Sequence, residues 1–202
     1  MLATAAAPPA VQTEDQRVTL YDVSWANFEL ILVIRGDRAG VRMTYLNGVL
    51  ELMSPSIDHE GIKKMIARLV ETYALERDVP LNGFGSWTLK NALRARGLEP
   101  DECYSVGAGR PTRPDLAIEV IWTSGGINKL EVYRGLGVGE VWMWRQGTIE
   151  VYVLLPDETY ERRERSALFP DLDLAELARH IDVENQTEAI RRYRETLRRA
   201  TA

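Results

Sequence analysis

The sequence predicts an α/β (α+β) fold, with a mixed β-sheet flanked by helices and an N-terminal β-hairpin. Three observations carry this. Arg42-Met43-Thr44-Tyr45 and Val49-Leu50-Glu51-Leu52-Met53 flank Asn47-Gly48, a pair that favours a type I′ hairpin turn. Between 58 and 77, Ile62, Met65, Ile66, Leu69, Val70 and Tyr73 recur at three- and four-residue steps, the stripe of an amphipathic helix. Later, short apolar runs alternate with a second helical pattern, giving the order hairpin, helix, strands, helix, strand, hairpin.

The elements follow in order. Ser24 caps a short helix carrying Trp25, Phe28, Leu30 and Ile31. Ser54-Pro55-Ser56 ends the hairpin, and Ser56 or Asp58 caps the long helix, which Pro80 and Gly83 terminate. Strands are expected near 84–92, 102–106 and 115–122, the last being the strongest. Thr123-Ser124-Gly125-Gly126 is a loop, and the second helix spans 127–136, with Gly137 and Gly139 at its end. Val141 to Trp144 and Ile149 to Leu154 form a hairpin around Gln146-Gly147. A short strand near 159–163, a short helix from Leu174 to His180 and a charged helix over 184–200 complete the chain. Residues 1–17 read as a disordered leader, 18–183 as the folded domain and 184–202 as a charged C-terminal helix.

The 202 residues are 45% hydrophobic and 27% charged, which is enough to bury a core. No apolar stretch is long enough for a membrane span, and Met1 to Ala10 lacks the basic and apolar regions of a signal peptide. Cys103 is the single cysteine, so an internal disulfide is excluded and a reducing, cytoplasmic setting is expected. A net charge of −5 weighs against non-specific nucleic-acid binding. Local cations at Arg94, Arg96, Arg110 and Arg113, and at Lys63, Lys64 and Arg68, offset it; their bland reading is a solvated face.

The chemistry is expected around Asp101, Asp115, Glu119 and Lys129. Asp115 and Glu119 are an even number apart, so they share a strand face with Ala117, while Leu116, Ile118 and Val120 take the other. Carboxylates on such a strand are costly to bury without a partner, and a divalent cation is one. Asp101 stands before a strand that can lie alongside. The candidate metal ligands are Asp101 and Glu119, for Mg²⁺ or Mn²⁺. Lys129, at the start of the next helix, can steady an attacked phosphate. The bland alternatives are a turn cap for Asp101, an arginine partner for Glu119, a surface lysine at 129 and a structural acceptor at Asp115. His59 reads as a cap or surface group, and Trp142 and Trp144 as packing or interface residues.

Leu98-Glu99-Pro100-Asp101-Glu102-Cys103-Tyr104, Pro114 to Val120 and Lys129 to Trp142 resemble the Uma-type restriction endonuclease family of the PD-(D/E)XK nuclease superfamily. Asn47 to Pro55, followed by His59, matches that family's opening hairpin and helix. The resemblance spans about residues 20–180 and implies a restriction-endonuclease-like fold and metal-dependent hydrolysis of DNA. It puts the Pro-Asp at Pro100-Asp101 and the second acid at Glu119. The position two beyond that acid is Ile121, so the strand lysine is absent and Lys129 on the next helix matches it. Asp115 and Glu51 match further acidic positions. Two alternatives stay open: an inactive nucleic-acid-binding or assembly protein of the same fold, and a hydrolase of a smaller phosphoester. A homodimer is expected, because the Trp-rich hairpin and open sheet edges offer an interface.

Overall fold

The computed structural model describes residues 13–36, 38, 40–122 and 125–200. The first half contains β1 (Gln16–Leu20), α1 (Trp25–Arg35), β2 (Arg42–Leu46), β3 (Val49–Ser54), α2 (Ile57–Glu76), β4 (Leu81–Gly83), β5 (Leu89–Asn91) and β6 (Arg96–Leu98). The second contains β7 (Glu102–Val106), β8 (Leu116–Val120), α3 (Lys129–Leu136), β9 (Glu140–Arg145), β10 (Thr148–Leu154), β11 (Tyr160–Arg163), α4 (Leu174–Arg179) and α5 (Gln186–Arg199). The class is α+β. The strands divide into two sheets, ordered β1-β3-β2-β6-β5 and β11-β10-β9-β8-β7-β4.

The expected hairpin is β2–β3, and its turn residues Asn47 and Gly48 both have positive φ, as a type I′ turn requires. Instead of joining the larger sheet, it pairs with β1 on one side and β6 on the other. Phe28 of α1 stacks on Tyr45 beneath this small sheet. In the larger sheet only β8 and β9 run parallel, and α3 makes the crossover between them.

Every residue of β8 is buried. Leu116, Ile118 and Val120 face the main core with α2, α4 and α5, whereas Ala117 faces a second core with Val132 and Tyr133 of α3. This is the alternation read from the sequence. Trp142 and Trp144 both belong to the main core, with Trp144 stacked on Trp122, so the β9 tryptophans offer no interface surface. Ala189, Tyr193 and Leu197 put α5 in the same core as α2, which makes the C-terminal helix part of the domain.

The leader boundary needs correction as well. Residues 1–12 lie outside the described residues, but 13–17 are structured. β1 starts at Gln16 and pairs with β3 as far as Ser54, and Trp122 Nε1 donates to the Thr13 carbonyl at 2.9 Å. Part of the expected 123–126 loop, Thr123 and Ser124, also lies outside the described residues. Among the described residues, no helix is long and apolar enough to cross a membrane.

Candidate active site

β7 and β8 are antiparallel, with Glu102 opposite Ile118. One step further along that register, Asp101 falls across from Glu119. Both side chains are buried, with Asp101 1% exposed and Glu119 0%. Asp101 is fixed by the backbone of the neighbouring strand, since Val120 N donates to its Oδ2 at 2.9 Å. Glu119 is held from α3. Lys129 Nζ donates to Oε2 at 2.5 Å, and the Tyr133 hydroxyl donates to Oε1. Lys129 and Tyr133 are four residues apart, so one helix face delivers both groups. Asn128 caps α3 through Leu130 N and so sets where Lys129 begins.

The charges are strongly coupled. Burial pushes the Glu119 carboxyl up to about 7, and the nearby Asp101 charge adds to this against Lys129 and Tyr133. Burial also acts on Asp101, but there Lys129 and His59 prevail and hold it well below the usual carboxylate range. Burial works to lower Lys129, yet Glu119 and Asp101 outweigh it and keep the ammonium above its ordinary value.

His59 is not a surface group. It is fully buried in the first turn of α2, with Nδ1 3.0 Å from Asp15 Oδ2 and Nε2 3.1 Å from Asp101 Oδ2. Burial disfavours its charge, but contacts with Asp101 and Asp15 raise its pKa to about 9. Arg42 completes the surroundings, with Nε 3.8 Å from Asp101 Oδ1.

One expected residue lies elsewhere. Asp115 lies one residue before β8, and four residues of extended chain put it roughly 13 Å from Glu119. Its Oδ2 accepts from Val106 N at 2.9 Å and Ser105 Oγ at 3.1 Å, so it closes the β7–β8 loop. Glu51 is nearer, buried on β3, with Oε2 accepting from Ile127 N at 3.3 Å and its charge helping to hold Lys129 protonated. Arg94 pairs with Glu158 and Arg96 bonds to Asn47, so neither serves the acid pair.

The other buried acids provide a contrast. Glu140 accepts from Trp142 Nε1, Ser166 Oγ, Ala167 N and Leu168 N. Glu99 accepts from Arg35, Met43 N and Thr88. Both are satisfied on each oxygen and tie loops to the sheets. Asp101 Oδ1 is buried with no hydrogen-bond partner. An orphaned buried carboxylate oxygen is costly and calls for a ligand or a functional reason. Among the described residues, no group of three or more His, Cys, Asp or Glu is arranged as a metal cage. The donor set is instead a pair of carboxylates, which suits a hard cation completed by water and phosphate oxygens.

The sheet thus carries a buried acid pair answered by a lysine at a helix N-terminus. The chain belongs to the Uma2 family, described as "Putative restriction endonuclease", whose model matches residues 25–184. At the family level this is a nuclease. Among solved structures, the chain is similar to a protein described as a putative nuclease belonging to DUF820 from Anabaena variabilis. The two share 13% identity over 73% of this chain and 90% of that one, with a TM-score of 0.45. No curated protein matches the chain significantly.

Proposed function

We propose that the protein is a Mg²⁺- or Mn²⁺-dependent DNA endonuclease centred on Asp101, Glu119 and Lys129. The observation that carries this is the buried Asp101 Oδ1, which has no hydrogen-bond partner, beside a second carboxylate that a lysine already neutralises. Asp101 Oδ1 and Glu119 would hold the metal. When bound, it would lower the pKa of a water and offset charge on the attacked phosphate. Lys129 would orient that water or meet a phosphate oxygen, and Tyr133 keeps Glu119 aimed. Glu51 supports Lys129 and the loop before α3.

Two cation-rich grooves contain side chains that pair with the acids. One, of about 700 Å³, is lined by Arg35, Arg38, Arg42, Glu60, Lys63 and Glu99, four cations against two acids in a chain of net charge −5. Arg42 links it to Asp101. The other, of about 360 Å³, contains Arg17, Glu51, Lys129 and Arg145, and Lys129 links it to Glu119. Their local positive charge fits a phosphodiester backbone despite the acidic whole. The proposal keeps a two-fold dimer, with its surface moved to the exposed Leu30, Val33 and Ile34 of α1. A solution mass of one chain, 22.9 kDa, would remove the dimer.

Nicking of supercoiled plasmid in Mg²⁺, Mn²⁺ or EDTA tests the function. Cutting in either metal and none in EDTA supports it. A second reading, a non-catalytic nucleic-acid-binding protein, is favoured by Glu119 having both oxygens already occupied. Salt-sensitive DNA binding with no cutting in any metal would select it.

A further inference from the structure

We propose that Asp15 and His59 are a positioning pair that determines which oxygen of Asp101 faces the reacting centre. The inference rests on the nuclease reading above and deepens it. Asp15 lies before the family-matched residues, which begin at 25.

Asp15 spends both oxygens on the start of α2. Oδ1 accepts from Ser56 N at 2.9 Å, and Oδ2 lies 3.0 Å from His59 Nδ1. His59 N in turn donates to Ser56 Oγ at 3.2 Å, so backbone and ring are both clamped. The ring then has one free edge, and Nε2 on that edge stands 3.1 Å from Asp101 Oδ2. Val120 N donates to the same Oδ2. Oδ2 therefore has a hydrogen bond and a close ion pair, whereas Oδ1 has no hydrogen-bond partner and only the longer ion pair with Arg42 Nε at 3.8 Å. A carboxylate can rotate about its own axis. A backbone hydrogen bond and a 3.1 Å ion pair on one oxygen oppose that rotation and leave the other oxygen for a ligand.

The segment carrying Asp15 is itself tied to the site. Trp122 Nε1 donates to the Thr13 carbonyl, and Arg17 Nη1 donates to the Gly125 carbonyl in the loop that leads to Lys129. The N-terminal segment thus spans from α2 to the β8–α3 connection, behind Asp101 at one end and beside Lys129 at the other. A purely structural role, capping α2, would explain the Ser56 bond. It gives no reason to aim Nε2 at a buried carboxylate.

The test uses the full chain and its His59→Gln, His59→Asn and Asp15→Asn variants. Gln carries its amide nitrogen near the Nε2 position, and Asn near Nδ1. Mn²⁺ affinity is read by calorimetry, plasmid nicking by gel and folding by thermal melt. The expected result is Mn²⁺ affinity within about threefold of wild type for His59→Gln, and about tenfold to a hundredfold weaker for His59→Asn and Asp15→Asn. The two His59 variants should melt together. Equal metal affinity in His59→Gln and His59→Asn would overturn the positioning role while leaving the nuclease reading intact. A wild type that neither binds Mn²⁺ nor cuts would overturn the nuclease reading and the pair's role with it. Should Asp15→Asn fail to fold, the comparison of the two His59 variants still decides.

Discussion

Lys129→Met probes the buried pair most sharply. The substitution keeps the aliphatic length and removes the charge, leaving Glu119, at 0% exposure, with only Tyr133 on its carboxylate. Breaking a buried pair from one side destabilises by about 3–5 kcal/mol while the orphan stays charged. Glu119 has an escape, because its pKa is already raised from 4.5 to about 7 and loss of Lys129 raises it further. A carboxyl with a raised folded pKa binds more protons folded than unfolded, so its charged form opposes folding as pH rises above 4.5 and most fully above the folded value. The penalty should therefore approach about 3–5 kcal/mol near pH 8, and be clearly smaller near pH 5.5, where Glu119 is protonated. Urea unfolding of wild type, Lys129→Met, Glu119→Gln and the double variant measures this. The double variant should regain most of the loss at the higher pH, a coupling of about 2 kcal/mol or more. A loss under about 1 kcal/mol near pH 8, or strict additivity, would refute a charged buried pair.

Asp115→Asn should nick at a rate within about threefold of wild type, since the side chain serves the β7–β8 loop; loss of cutting on the scale of removing a transition-state contact would return Asp115 to the site. Gly97→Ala would put a methyl 2.7 Å from the Phe28 ring and should destabilise by about 1–3 kcal/mol in urea unfolding, whereas an unchanged midpoint would show that α1 does not press on β6. Glu76, bound to Arg194 and Arg198, has its pKa lowered from 4.5 to about 2. The tie between α2 and α5 is therefore fully present above pH 4.5 and is lost as pH falls toward 2. Glu76→Gln should flatten the fall in melting temperature over that window, and a slope like the wild type's would count against the tie.

The main helices and strands were legible because their periodicity decides them. The stripe from Ile62 to Tyr73 and the alternation along β8 both survive in the structure. Three strands were not legible: β4, only Leu-Asn-Gly in the break after α2, together with β6 and β1. β6 is only Arg-Gly-Leu, and its glycine is explained by Phe28 lying over it, a contact from another part of the chain. β1 was missed, with Gln16 and Arg17 read as leader, because its pairing with β3 reaches thirty or more residues along the chain.

The site shows the same division. Asp101, Glu119 and Lys129 come together because the β7–β8 register and the α3 crossover bring them there. Asp115 bonds to Ser105 and Val106 at the far end of β8, a placement that parity along a strand does not give. Tyr133 had a local signal, its spacing of four from Lys129, that went unused. Asp15 had none, since its role exists only once the N-terminal segment lies against α2. His59 looked like a helix-start residue, which it is, and its ring contact with Asp15 comes from that same segment.

The most direct measurement is metal-dependent nicking by wild type beside Glu119→Gln, a variant close in size that keeps a hydrogen-bonding group in the buried position. With both proteins shown folded by thermal melt, wild type should cut in Mg²⁺ or Mn²⁺ and fall silent in EDTA. The variant should lose at least about a hundredfold in rate, the scale of several kcal/mol of transition-state charge stabilisation. Cutting by Glu119→Gln at the wild-type rate, or cutting that persists in EDTA, would contradict the assignment of this buried acid pair as a metal-dependent nuclease centre.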